Sequence, residues 1–222
     1  MIVRRLHGLH GAREATGAAV IIDVFRAFTT AAFAIAAGAR EVVLVGDHEQ
    51  ALALKSADST LFLTGEIGGK PIPGFDLGNS PSLIEGLDLA GRRVVQRTSA
   101  GTQGVVAASA ATEIVLGSLV IAGATARYLG DRDVISLVAM GTQGGDDHDE
   151  DEICAVYLER VLLGLGQLVL PARPEITLAA AEEWPDWFPR RDAELACELD
   201  RFGFALPVTR EGGLLIARPV FV

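Results

Sequence analysis

The chain has 222 residues, 50% of them hydrophobic but only 6% aromatic, with 29 acidic against 19 basic side chains and a formal net charge of −10. That length suits one sizeable aliphatic core. The acidic balance argues against nucleic acid or an anionic membrane as partner, and no apolar run approaches the roughly 20 residues of a membrane span.

The N-terminus, Met1-Ile2-Val3-Arg4-Arg5-Leu6-His7, has arginines but no long apolar stretch behind them, so it does not read as a signal peptide. Ala18-Ala19-Val20-Ile21-Ile22-Asp23 reads as a buried strand ending in a carboxylate. An alanine-rich helix is predicted over 28–37, stopped by Gly38. Glu41–Val45 is the next strand, and Asp47 caps an amphipathic helix through about Lys55. Leu61–Thr64 is a third strand. It feeds Gly65-Glu66-Ile67-Gly68-Gly69-Lys70 and then Ile72-Pro73-Gly74-Phe75-Asp76-Leu77-Gly78-Asn79-Ser80-Pro81. So many Gly, Pro, Asp and Asn residues predict a loop of fixed shape, and long ordered polar loops tend to be functional.

Ser80-Pro81 opens a helix, with Ser as cap and Pro at the first helical position. A strand over 93–96, a small-residue helix over 101–111, apolar runs at 114–116 and 119–121, a helix near 123–129 and a strand over 134–140 follow. Gly141 to Asp151 is a glycine-rich then acidic loop, and 152–165 is an amphipathic helix. This alternation predicts a three-layer α/β/α fold with a mixed, largely parallel sheet.

The organisation expected is a single α/β domain over 1–222, in which 171–222 adds a helix and an edge hairpin. Phe204–Val208 and Leu214–Ala217 flank Glu211-Gly212-Gly213 as the two arms of that hairpin, and the apolar Leu214–Val222 suggests an edge that a homodimer would bury. Gly101-Thr102-Gln103-Gly104 is echoed at Gly141-Thr142-Gln143-Gly144, but the flanks do not match. Cys154 and Cys197 make no disulfide framework and read as packed thiols, which fits a reducing cytoplasm.

In open α/β sheets ligands sit beyond the carboxyl ends of the strands. Asp23–Thr30, Glu66–Lys70, Ile72–Pro81, Arg97–Thr102 and Gly141–Asp151 should meet there. Asp23 is either a helix cap or a metal ligand or nucleophile. Arg26 is either a structural cation or a bidentate clamp on phosphate or sulfonate. Thr98-Ser99-Ala100-Gly101-Thr102 offers three hydroxyls where one cap needs one, which favours an anion site over simple capping. The acidic run 146–152 is explained by solvation and a helix N-terminus, or in part by a divalent cation. Its oxygen donors favour Mg²⁺, and His148 has no His or Cys at zinc-ligand spacing. His7, His10 and His48 carry no chemistry in this reading. No G-x-G-x-x-G follows the first strand, which weakens a nucleotide-dependent oxidoreductase.

Four segments taken together resemble the 2-phosphosulfolactate phosphatase (ComB) family. They are Val20–Ala27, Gly74–Pro81, Thr98–Thr102 and Glu150-Asp151. The resemblance runs along most of the chain in the same order and extends to Cys197–Phe202 and Gly212-Gly213-Leu214. It implies an α/β/α fold and a Mg²⁺-dependent hydrolase of a small anionic phosphorylated substrate, 2-phosphosulfolactate, on a route to coenzyme M. Asp23, Glu66 and Asp76 become candidate catalytic groups, and with Glu150 and Asp151 candidate metal ligands. Arg26, Lys70, Asn79, Ser80, Arg97, Thr98, Ser99, Gly101 and Thr102 become candidate substrate-binding residues. Two positions depart from the family pattern. Ile67 stands where the family usually has Arg, and Ala100 where it usually has Asn. Another small phosphorylated carboxylic acid as substrate, or a non-catalytic anion-binding role, are the alternatives.

Overall fold

The computed structural model describes residues 1–141, 150–166 and 187–222. The first half runs β1 (Ile2–His7), α1 (Gly8–Glu14), β2 (Ala18–Ile22), α2 (Ala27–Ala36), β3 (Glu41–Leu44), α3 (His48–Ala57), β4 (Phe62–Ile67), two short strands β5 (Lys70–Pro71) and β6 (Leu77–Gly78), and α4 (Pro81–Ile84). The second half runs β7 (Arg93–Arg97), α5 (Gly101–Ala107), β8 (Glu113–Gly117), a 3₁₀ turn (Leu119–Ile121), α6 (Ala122–Leu129), β9 (Val134–Ala139), α7 (Glu150–Leu162), α8 (Arg190–Ala196), β10 (Phe204–Glu211), β11 (Leu214–Ala217) and β12 (Val220–Phe221).

The predicted elements recur within a few residues of their expected bounds. The N-terminal strand and helix are additions to the predicted elements. All five residues of β2 are buried, as an apolar run flanked by parallel neighbours requires. Helix α2 carries no charged side chain on any face, and it is buried all round apart from its last residue. Asp47 caps α3 by accepting from the Glu49 amide at 3.0 Å, and Ser80 caps α4 by accepting from the Leu83 amide.

The sheet order is β1-β9-β2-β8-β10-β11-β3-β7-β4-β5. β1, β9, β2 and β8 are mutually parallel, as are β3, β7 and β4. The hairpin β10–β11 lies between these two blocks, antiparallel to β8 on one side and to β3 on the other. This corrects one expectation: the C-terminal hairpin is central rather than at an edge, with Leu215, Ile216 and Ala217 buried inside the sheet while Val220, Phe221 and Val222 beyond it stay exposed. The reason is that neither parallel block closes the core alone, and an all-apolar β11 is what a central strand needs.

One continuous core face draws side chains from both blocks and packs them around α2 and α5. The opposite face is covered by α6 and α7 over the first block and by α3 over the second. These are the three layers. In a flat sheet β2 and β7, five positions apart, would be about 24 Å from each other and run in opposite directions. The carboxyl ends of β2 and β7 nevertheless meet at the start of α2, where the Gln96 side chain donates to the Ala27 carbonyl at 2.7 Å and the Gly101 amide donates to Asp23. No helix among the described residues is long and apolar enough to cross a membrane.

Candidate active site

Asp23 ends β2 and is 5% exposed. Its Oδ1 accepts from the Ala27 amide at 2.9 Å, and the Gly101 amide donates to the same carboxylate. It therefore caps α2 and meets the start of α5. Of the two readings offered for it, the cap is what these contacts show. Burial, reinforced by the nearby Glu66 charge, raises its pKa from 3.8 to about 6, against the lowering pull of the two amides and Arg26. Gly101 permits the approach, since a Cβ there would lie 2.7 Å from Asp23 Oδ2 and 2.7 Å from the Ala27 Cβ.

Glu66 lies near the end of β4 and is buried. Its carboxylate accepts from the Gly69 amide at 2.6 Å, from the Ser99 amide and from the Ser99 hydroxyl at 3.1 Å. The tips of β4 and β7 are joined through it. Arg97 reaches back across the junction, donating to the Glu66 carbonyl at 2.9 Å and to the Gly46 carbonyl. Arg97 is half-buried, and neither it nor the exposed Lys70 forms an ion pair among the described residues.

Arg26 is 4% exposed. Its Nη1 donates to Asp192 Oδ2 at 2.9 Å, and its Nη2 lies 3.4 Å from the Gly69 carbonyl. The Phe188 ring covers the guanidinium face at 4.0 Å, and the Trp187 ring centre is 5.8 Å away. Trp187 also lies against Gly69, at φ +83°, where a Cβ would come within 2.3 Å of the indole. Burial pulls the Arg26 pKa down, and Asp192, Glu66 and Asp23 pull it back up. Asp23, Arg26, Glu66 and Asp192 together carry two more negative charges than positive when all are ionised.

Other residues singled out from the sequence fall into place differently. The Thr98 and Thr102 hydroxyls each accept from the other residue's amide, at 3.0 and 2.8 Å, and Ser99 serves Glu66. The three hydroxyls expected to form an anion site are thus engaged in capping α5 and in joining strand tips. Asn79 accepts from Gln96 at 3.3 Å, and Ser80 donates to Asp192 at 2.8 Å, so both brace the site from behind. Asp151 accepts from the Val24 amide at 2.6 Å, beside Asp23, while Glu150 precedes it at the start of α7. Asp76 is not brought to this cluster. Its carboxylate accepts from the Leu63 amide at 2.7 Å and pairs with Lys55 at 2.9 Å, on the α3 side of the sheet. The acidic stretch 146–149 with His148, and Thr142-Gln143-Gly144 of the second Gly-Thr-Gln-Gly, lie outside the described residues.

Asp192 went unnoticed in the sequence. It sits in a charged stretch, Arg190-Arg191-Asp192-Ala193-Glu194, and no local spacing distinguishes it from its solvated neighbours. Among the described residues no group of three or more His, Cys, Asp or Glu side chains stands ready to hold a metal ion. Asp23 and Glu66 remain, close enough for the Glu66 charge to raise the Asp23 pKa, and they are the carboxylates that could hold a divalent cation here.

The 2-phosphosulpholactate phosphatase family model matches residues 5–187. A probable 2-phosphosulfolactate phosphatase of Deinococcus radiodurans is 41% identical over 163 residues, covering 72% of this chain and 68% of that protein. Proteins described in the same words from Caldicellulosiruptor saccharolyticus and Bacillus subtilis are 40% and 34% identical, with 63% and 65% of this chain covered. Those two matches span 60% and 64% of the relatives' own lengths, less than two thirds.

Proposed function

Since the chain belongs to the 2-phosphosulpholactate phosphatase family, a family of phosphoric monoester hydrolases, we propose that it releases phosphate from a small phosphorylated carboxylic acid such as 2-phosphosulfolactate, with Mg²⁺ as cofactor. The observation that carries this reading is the buried Asp23, held near neutrality at about 6 beside Glu66 and Arg26 where the strand tips converge. Perturbed titratable groups gathered at such a point mark chemistry.

Asp23 and Glu66 would hold the ion, which when bound neutralises phosphate charge and orients the reacting oxygens. The excess negative charge of the cluster favours a divalent cation and disfavours a bare phosphate dianion. Arg26 would take phosphate oxygens through Nη2, in place of its long contact to the Gly69 carbonyl. Arg97 and Lys70, without ion pairs among the described residues, would take the sulfonate or carboxylate. At neutral pH Asp23 is mostly ionised. It then either accepts a proton from the attacking water or attacks phosphorus itself. Borohydride trapping during turnover separates the two routes, because an aspartyl-phosphate at Asp23 is reduced by it and a carboxylate acting as base is not.

Substrate choice has a second reading on one observation. Ile67, 45% exposed, follows Glu66 and presents an apolar side chain where the family pattern places a cation. A substrate lacking one anionic group, such as phospholactate, would suit that change. The test is phosphate release from 2-phosphosulfolactate, phospholactate and phosphoglycolate, with Mg²⁺ and with EDTA. Release from at least one, dependent on Mg²⁺ and lost in Asp23→Asn, is expected. Absence of release from all three refutes the hydrolase reading, and undiminished release in EDTA refutes the cofactor.

A further inference from the structure

Asp192 is completely buried on α8, outside the stretch matched by the family model. A carboxylate in that position is costly unless every lone pair finds a donor and its charge a counter-charge. It accepts from Arg26 Nη1 at 2.9 Å, from Ser80 Oγ at 2.8 Å and from the Ser82 amide at 2.9 Å. Two of those donors belong to the first turn of α4, at the end of the long polar loop. The third is the arginine beside Asp23.

The geometry leaves Arg26 little freedom. Phe188 fixes the plane of the guanidinium, and Asp192 fixes one end of its fork. A flexible side chain of this length would otherwise sample several rotamers and lose directionality toward a planar or tetrahedral oxyanion. Asp23 and Glu66 act on Arg26 through their charge, whereas its ion pair among the described residues is with Asp192.

We infer that Asp192 is a positioning residue, which holds the Arg26 guanidinium, whose long contacts to the Gly69 and Trp187 carbonyls a tighter acceptor can displace, toward the phosphoryl group and ties that aim to the Ser80–Ser82 turn. This rests on the hydrolase reading above only for the identity of the anion, so the probe is inorganic phosphate, the expected product. Phosphate affinity is measured by calorimetry at one saturating Mg²⁺ concentration for the wild type, Asp192→Asn and the double variant Arg26→Gln/Asp192→Asn, which removes both charges together. Asp192→Asn should bind phosphate about tenfold more weakly. Removing Arg26 as well should cost less than a further twofold, because an unaimed arginine contributes little.

A purely structural Asp192 would lower thermal stability while folded protein kept wild-type affinity, and that result overturns the inference. So does a further tenfold loss in the double variant, which would mean that Arg26 works without Asp192. Should Asp192→Asn fail to fold, Ser80→Ala is the milder perturbation. About a threefold weaker phosphate affinity supports the inference and an unchanged one overturns it. Turnover is followed in parallel. The expected binding pattern without phosphate release from any substrate leaves Asp192 in its role and removes the hydrolase reading. Normal turnover with unchanged binding in Asp192→Asn does the reverse.

Discussion

Replacing Asp23 by Asn should stabilise the folded protein at neutral pH while abolishing phosphate release. The native carboxyl titrates at about 6 and an unfolded one at 3.8. Between those values the folded state binds the extra proton, so stability falls as pH rises from about 4 through about 6 and stays at its lower level above. Two pH units at about 1.4 kcal/mol each amount to about 3 kcal/mol that ionised Asp23 withholds from stability at pH 7.5. Asparagine does not titrate. It keeps one side-chain oxygen for the Ala27 amide but answers the Gly101 amide less well, a loss of about 1 kcal/mol. The net gain is about 2 kcal/mol, or roughly 4–8 °C in melting temperature for a chain of this size.

Thermal unfolding of both proteins in EDTA at pH 4.5, 6 and 7.5 measures it. The difference between variant and wild type isolates Asp23 from all other carboxylates, so it should be small at pH 4.5 and grow with pH. A variant less stable than wild type at pH 7.5, or a difference that ignores pH, refutes the reasoning. Mg²⁺ should raise the melting temperature of the wild type and not of Asp23→Asn, since only the former keeps the paired carboxylates.

Asp76→Asn removes the Lys55 pair and weakens the Leu63 contact, so stability should fall by about 1 kcal/mol in urea titration while kcat stays within about twofold. A complete loss of turnover in folded Asp76→Asn would instead put that carboxylate in the reaction. Gly101→Ala drives a methyl against Asp23 and Ala27, which should cost about 1–3 kcal/mol and lower kcat/KM more than about tenfold. Wild-type kinetics in that variant would show that α5 has room to spare.

The elements themselves were legible because their signals are local. Val20-Ile21-Ile22 before Asp23 announces a buried strand with a carboxylate at its tip. Asp47 and Ser80 cap the helices they precede, and the Gly- and Pro-rich stretch of 65–81 is a shaped loop. The family resemblance drew on the same segments, and of its three candidate acids Asp23 and Glu66 do converge.

What the sequence by itself determined is where strands stop, which residues stand at their tips, and the aliphatic character of the core. These follow from periodicity, capping and turn chemistry over a few residues. Only the tertiary structure decided that the terminal hairpin divides the sheet, that the β2 and β4 tips come together, and that Asp76 turns to Lys55. It alone revealed Asp192, whose partners Arg26 and Ser80 lie 166 and 112 residues away along the chain. Hydrogen bonds across such separations are chosen by how whole layers pack, and no spacing of letters near residue 192 encodes them.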